Sequence, residues 1–393
     1  MTRHDRLARR SSTSWAFLTL LAAAAAGAST LSAQNRNRTG GGQSNPYRVI
    51  LRDVRAINGS NSGMRPDFGA ANTPLLRQSF ADYPGDGTGA DILEPPDRPN
   101  PRTISNAVAS QVGGLPNDRY MSDYIWAWGQ FVDHDLDLSE TDPANGIADI
   151  VIEDPLDILG PNPIPFTRSD FIIGDVSDRR EQINAITAYI DGSNVYGSNT
   201  ARESALRELA GGRLRVGDHD LLPFNELGFD NAPAPTSSFF FAGDIRANEN
   251  VVLTSLHTLF VREHNRLANL IAIHNPTATD EEVYQLARKI VGAEMQLITY
   301  QEFLPALLGP HTPLLSEGRT SPQAHPGITN EFSTAFYRVG HTMLSPRLRR
   351  WEDGSMLSVL PLQDAFFRPS YLTSDPLNMD RLLSGLNTQR CQE

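Results

Sequence analysis

The chain has 393 residues, 39% hydrophobic and 20% charged, enough to bury a sizeable core as one large domain or two smaller ones. A formal net charge of −12, with Lys289 the only lysine and no basic stripe, argues against nucleic-acid binding. Cys391 is the only cysteine, so no internal disulfide can form and stability must come from core size and bound groups.

Residues 1–33 read as a secretory signal. Arg3, Arg6, Arg9 and Arg10 form a positive n-region, an apolar stretch follows from Trp15, and Leu31-Ser32-Ala33 offers a cleavage site before Gln34. The apolar run is too short to span a membrane comfortably. Four arginines against Asp5 leave with this segment, so −12 becomes −15. These residues predict an exported, acidic protein, secreted or periplasmic. Residues 34–46 have nothing to bury and read as a disordered linker. The remainder, 47–393, reads as one domain that begins with an irregular Gly-, Pro- and Asn-rich arm.

The stretch Trp128-Gly129-Gln130-Phe131-Val132-Asp133-His134-Asp135-Leu136-Asp137 comes next. A helix starting near residues 118–122 puts Gln130 and His134 one turn apart on one face. Asp133 and Asp135 then flank the histidine on opposite sides. Apolar Ile125, Trp128, Phe131 and Val132 fill the gaps, so the helix is expected to be buried and its polar groups to need partners or ions. Within 182–197, Thr187, Tyr189, Asp191 and Ser193 alternate, and an extended strand would turn all four one way. Such oxygens suit a hard cation such as calcium, although an ordinary polar strand and turn has the same composition.

Gly243-Asp244-Ile245-Arg246-Ala247-Asn248-Glu249 reads as the opening of a long amphipathic helix with Leu253, Leu256, Phe260, Leu267 and Leu270 on its stripe. Taken alone, Arg246 and Glu249 read equally as a local surface ion pair. Arg262-Glu263-His264-Asn265-Arg266 lacks zinc-motif spacing and is read as structural. Thr279-Asp280-Glu281-Glu282 is a capping box ahead of a helix burying Val283, Leu286, Ile290 and Leu297. In 330–341, Phe332, Phe336 and Val339 make one apolar face, and His341 follows Gly340 where a large flat ligand can approach. A lone histidine there is otherwise a satisfied core residue.

In this order the stretches resemble the animal-type haem peroxidases of the peroxidase–cyclooxygenase superfamily, whose distal helix reads W-G-Q-x-x-D-H-D-x-D. The resemblance implies a mainly α haem-peroxidase domain with long irregular Pro/Gly-rich connections and little β-structure. It implies a secreted, bacterial-type enzyme that reduces hydrogen peroxide and oxidises a halide or small organic donor, with haem b and calcium as cofactors. In its terms His134 is the distal acid/base, Arg246 the distal arginine, Gln130 the residue holding water or halide, and His341 the axial ligand of the iron. Asp133 and Glu249 match carboxylates that esterify haem methyl groups. Asp135, the side-chain oxygens of Thr187, Asp191 and Ser193, and the main-chain carbonyl of Tyr189 match calcium ligands. The family's R-x-R-D-H-G-x-P-x-Y-N segment is not reached before Cys391-Gln392-Glu393, so the resemblance implies a C-terminally truncated domain. Two alternatives stay open. One is a fatty-acid dioxygenase of the same superfamily, disfavoured because its radical tyrosine would stand where Arg338 is. The other is a non-catalytic, calcium-stabilised secreted protein.

Overall fold

The computed structural model describes residues 54–393 apart from 63, 64, 66, 80–97, 112, 175–178 and 314–323. The expected signal and linker therefore lie outside the described residues. The helices in chain order are α1 Pro101–Ala109, α2 Tyr124–Leu136, α3 Ser193–Tyr196, α4 Thr200–Leu206, α5 Val251–His274 and α6 Asp280–Ile298. The shorter α7 Leu304–Leu308, α8 Asn330–Thr334, α9 Pro369–Thr373 and α10 Asn378–Leu386 follow. Strands are few. Thr73–Pro74 (β1), Phe171–Ile173 (β2) and Arg180–Asn184 (β3) form an antiparallel sheet in the order β1-β3-β2, and Arg347–Glu352 (β4) pairs with Ser355–Pro361 (β5). Among the described residues, about 41% helix with so little strand is the mainly α architecture expected.

The spine of the core is α5. It buries Val252, Leu253, Leu256, Phe260, Leu267 and Ile271, each worth roughly 1.5–3 kcal/mol of transfer free energy. Leu270, expected on this stripe, is 40% exposed, because the helical period carries Ile271 inward in its place. Aromatic rings lock α2 onto α5: Phe131 stacks on Phe260 with centroids 5.1 Å apart, and Trp128 lies 5.7 Å from the same ring. Trp128 Nε1 also donates to Thr299 Oγ1 at 3.2 Å, which ties α2 to the end of α6. The start of α2 is at Tyr124 and not near 118–122, since the preceding residues pair with the far end of the chain, Pro116 with Gln392 and Ser122 with Arg390.

The capping box opens α6 as expected, Thr279 Oγ1 accepting from Glu282 N at 3.3 Å and Glu282 Oε2 from Thr279 N at 2.8 Å. Its inward face is rotated from the expected one, to Val283, Tyr284, Ala287, Val291 and Met295, leaving Leu297 46% exposed and Leu286 and Ile290 half-buried. The Arg262–Arg266 stretch clasps a neighbouring loop onto α5. His264 meets Tyr196 Oη at 2.9 Å and Gly212 O at 2.8 Å, and Asn265 pairs with both backbone groups of Leu214.

Residues 243–249 are a run of turns wedged between α3 and α5, not the first turn of α5; Asn250 is the N-cap. A Cβ on Gly243 would stand 2.5 Å from Val195 C and 2.6 Å from Gly197 N, so only glycine fits against this backbone. Gly243→Ala should therefore lose about 1–3 kcal/mol through overpacking. Urea unfolding should show a lower midpoint at unchanged slope, and a wild-type midpoint would mean that the two segments are not so closely apposed.

Candidate active site

On α2 the helical period sends adjacent residues to different partners. Gln130, Asp133 and His134 line a cavity of about 720 Å³, together with Arg246, Glu249, Arg338 and His341. That volume falls within the ~300–1,000 Å³ of small-molecule and cofactor sites. The remaining wall is largely apolar, including Trp126, Phe303, Leu307, Phe332 and Phe336.

His134 is 3% exposed, with Nδ1 3.6 Å from Asp244 Oδ1 and Nε2 3.8 Å from Glu249 Oε2. Burial, and then the Arg246 guanidinium, hold its imidazole well below the usual histidine range, so it is neutral at neutral pH. Arg246 is clamped: Nε and Nη2 donate to the two oxygens of Asp244 at 2.9 and 2.8 Å, and Nη2 also donates to Asp137 O at 2.9 Å. Burial alone would push the Asp244 carboxyl up, but Arg246 and His134 together bring it below the usual carboxylate range. Asp244 thus fixes the arginine beside the histidine. Gln130 is clamped too, its Nε2 donating to Glu249 Oε2 at 2.8 Å and its Oε1 accepting from Asn250 Nδ2 at 2.9 Å.

Asp133 turns the other way around the helix and meets Arg338, whose Nη1 donates to Asp133 Oδ2 at 2.6 Å and whose Nη2 donates to Asp137 Oδ1 at 3.3 Å. Arg338 Nε donates to Ser333 O at 2.7 Å, so one side chain joins α8, the turn after it and α2. Burial and then Asp137 push the Asp133 carboxyl up to about 7, against the pull of Arg338 and Arg246.

Asp135, fully buried, faces the 187–194 loop. Its Oδ2 accepts from Asp191 N at 3.1 Å and Gly192 N at 3.2 Å, and its Oδ1 from Ser193 Oγ at 3.0 Å and Asn194 N at 3.2 Å. Thr187 Oγ1 donates to Asp191 Oδ1 at 3.0 Å. Thr187, Asp191 and Ser193 converge, but through bends and the helical turn α3 instead of an extended strand. Gly192, at φ 81°, supplies the left-handed residue that reverses the chain there. Tyr189 is only half-buried, its hydroxyl donating to Phe68 O at 2.7 Å. Among the described residues no cluster of three or more His, Cys, Asp or Glu side chains forms a metal site. What converges is two hydroxyls and two carboxylates, of which Asp191 Oδ2 is buried and unpaired, a donor set that fits a hard cation.

His341 lies in the 3₁₀ segment Phe336–Thr342, not on a continuous helix, and the expected apolar face is not formed. Phe336 is 72% and Val339 51% exposed, because the tighter 3₁₀ turn, entered through Ala335, breaks the period that would align them with Phe332. A Cβ on Gly340 would meet nothing within 4 Å, so the backbone beside His341 is open to the cavity. An apolar cavity with a histidine on two walls fits a haem.

The animal haem peroxidase family profile matches residues 54–393. The chain belongs to the animal haem peroxidase family. It is similar to peroxidasin of Drosophila melanogaster, at 33% identity over 84% of this chain and 25% of that protein. Thyroid peroxidase of Canis lupus familiaris is 33% identical over 87% and 42%, and eosinophil peroxidase of Homo sapiens 34% over 84% and 53%. The chain thus spans between a quarter and about half of these relatives. Among solved structures, peroxidase A from Dictyostelium discoideum superposes with TM-score 0.74 at 27% identity, covering 87% of this chain and 69% of that one. A fatty acid alpha-dioxygenase from Oryza sativa shares the fold, with TM-score 0.70 at 19% identity over 86% and 59%.

Within this haem peroxidase domain, sequence reasoning missed Asp244, Arg338 and Asn250 as partners of site residues. The Asp-x-Arg spacing of Asp244 and Arg246 was the available signal for the first; nothing local marks the other two. Arg338→Met should leave Asp133 and Asp137 without the cation that hydrogen-bonds their carboxylates. A fully buried pair broken this way costs ~3–5 kcal/mol, and with Arg338 a third exposed about 1–3 is expected. Folding favours protonated Asp133, so its contribution to stability is present at low pH and lost as pH rises through about 7. The deficit of Arg338→Met against wild type should therefore be larger at pH 8 than at pH 5. A deficit independent of pH would assign the loss to packing alone.

Proposed function

We propose that this chain is a haem-dependent peroxidase domain, reducing hydrogen peroxide and oxidising a halide or small organic donor. What supports the reading is one arrangement: neutral His134, clamped Arg246 and Gln130 line the same cavity as His341. His341 would hold the iron of haem b, which when bound supplies the redox equivalents passing between peroxide and donor. The ionised Asp244 carboxylate on the Nδ1 side of His134 favours the tautomer with its proton there. Nε2 is then the base that takes a proton from peroxide and returns it to the departing oxygen. Arg246, held by Asp244, stabilises the negative charge that develops on that oxygen. Asp133 and Glu249 are the carboxylates from which ester links to haem methyl groups would form, in competition with Arg338 and Gln130.

A dioxygenase reading lacks its tyrosine, since Arg338 occupies that place and is engaged by Asp133. Export rests on residues 1–33. Among the described residues, no helix is long and apolar enough to cross a membrane.

His341→Ala should lose most of its haem, followed by the Soret band, whereas His134→Ala should keep haem and lose peroxide reactivity by about 10²-fold or more. Equal haem content and equal rates in both variants would refute the assignment of walls.

Calcium, held by Asp135, Thr187, Asp191, Ser193 and the Tyr189 carbonyl, would relieve the two buried carboxylates and fix α2 and with it His134. Because an ion bound only to the folded state stabilises it, the melting temperature should climb with calcium and fall with chelator. Asp135→Asn should remove that response. Melting indifferent to both additions in wild type would eliminate the calcium site.

A further inference from the structure

The polar groups above the cavity form a hydrogen-bonded chain whose direction is set by a helix end. The first backbone N–H groups of α5 can only donate, and the Asn250 side chain answers them, Oδ1 accepting from Val252 N at 3.1 Å and Leu253 N at 2.9 Å. With Oδ1 committed, the other end of that amide must be Nδ2, and it donates to Gln130 Oε1 at 2.9 Å. Gln130 is then not free to flip. Its Nε2 faces the carboxylate of Glu249 and donates to Oε2 at 2.8 Å, the same oxygen that lies 3.8 Å from His134 Nε2. Asn250 is 1% exposed, so water does not compete for its amide.

We propose that Asn250 is a positioning residue: it caps α5 and, through the same amide, fixes which way round Gln130 presents its own amide to the cavity beside His134. One N–H of Gln130 goes to Glu249, and the second is offered to an acceptor at the cavity wall, a small anion or a peroxide oxygen. A reversed Gln130 would set its Oε1 against the Glu249 carboxylate, two acceptors facing each other. Aspartate at 250 would cap the helix as well as asparagine but would meet Gln130 with a second acceptor. The inference rests on the peroxidase reading for its consequence and on the hydrogen bonds alone for its geometry.

Asn250→Asp tests it, with Asn250→Ser as a second variant that also keeps a good N-cap. The Gln130 side-chain amide signals are identified in ¹H–¹⁵N spectra of the haem-free protein by their loss in Gln130→Met. In Asn250→Asp both signals should shift as Gln130 loses its donor and meets a second carboxylate oxygen, and in Asn250→Ser they should broaden, while the backbone signals of α5 beyond its first turn stay near wild type in both. In the haem-loaded protein, cyanide affinity read from the Soret band should weaken by about tenfold in both variants, the loss of roughly one hydrogen bond. Unmoved Gln130 signals in both variants overturn the positioning role. Moved signals with unchanged cyanide affinity overturn its consequence for ligands. A wild-type chain that takes up no haem overturns the peroxidase reading alone, the amide signals still deciding the claim about Asn250.

Discussion

A carboxylate taken out of water costs several kcal/mol unless a partner restores what it has lost, and α2 with its two caps buries Asp123, Asp133, Asp135 and Asp137. Their partners come from segments distant in the chain. Ser345 donates to Asp123 at the start, and Arg338 reaches Asp133 and Asp137 from the segment that carries His341. Asp135 is wrapped by the N–H groups of 191–194, and Arg246 donates to the Asp137 carbonyl. Charge compensation of one helix therefore gathers the cavity-lining segments around it. The apolar packing of Trp128 and Phe131 on Phe260 makes that burial unavoidable.

The same burial sets the chemistry available. His134 sits where desolvation and a neighbouring guanidinium both disfavour its cationic form and leave the neutral imidazole, the form able to accept a proton. Arg246 keeps its charge there because Asp244 is committed to it, so the pair brings a cation into the site without a mobile counter-ion. Both come from the turn at 243–249, held by the close backbone contact at Gly243 and by the bond from Asp244 N to Asn194 O at 3.0 Å. The turn that carries Arg246 and the 187–194 loop are thus joined directly through backbone contacts.

Much of this was legible in the residues. The alternation of apolar rings and acids predicted a buried α2, and the capping box predicted the start of α6. What could not be read locally was set by tertiary contact. The 243–249 segment has helix-compatible residues, but capping by Asn250 starts the helix after it. The 187–194 loop converges through a left-handed Gly192 and not through strand alternation, and periodicity carries no such signal. The apolar face expected around His341 dissolves because α8 stops at Thr334 and a 3₁₀ segment follows. Arg338 and Asn250 declare themselves only when sequence separations of 205 and 120 residues close to hydrogen-bond distance.

The most direct measurement is resonance Raman spectroscopy of the ferrous, haem-loaded protein, prepared with natural-abundance and with ¹⁵N-labelled histidine. If the cavity takes haem with His341 as axial ligand, an iron–histidine stretching band should appear and shift to lower frequency on labelling. Haem bound without such a band, or no haem bound at all, would contradict the placing of the iron between the two histidine walls.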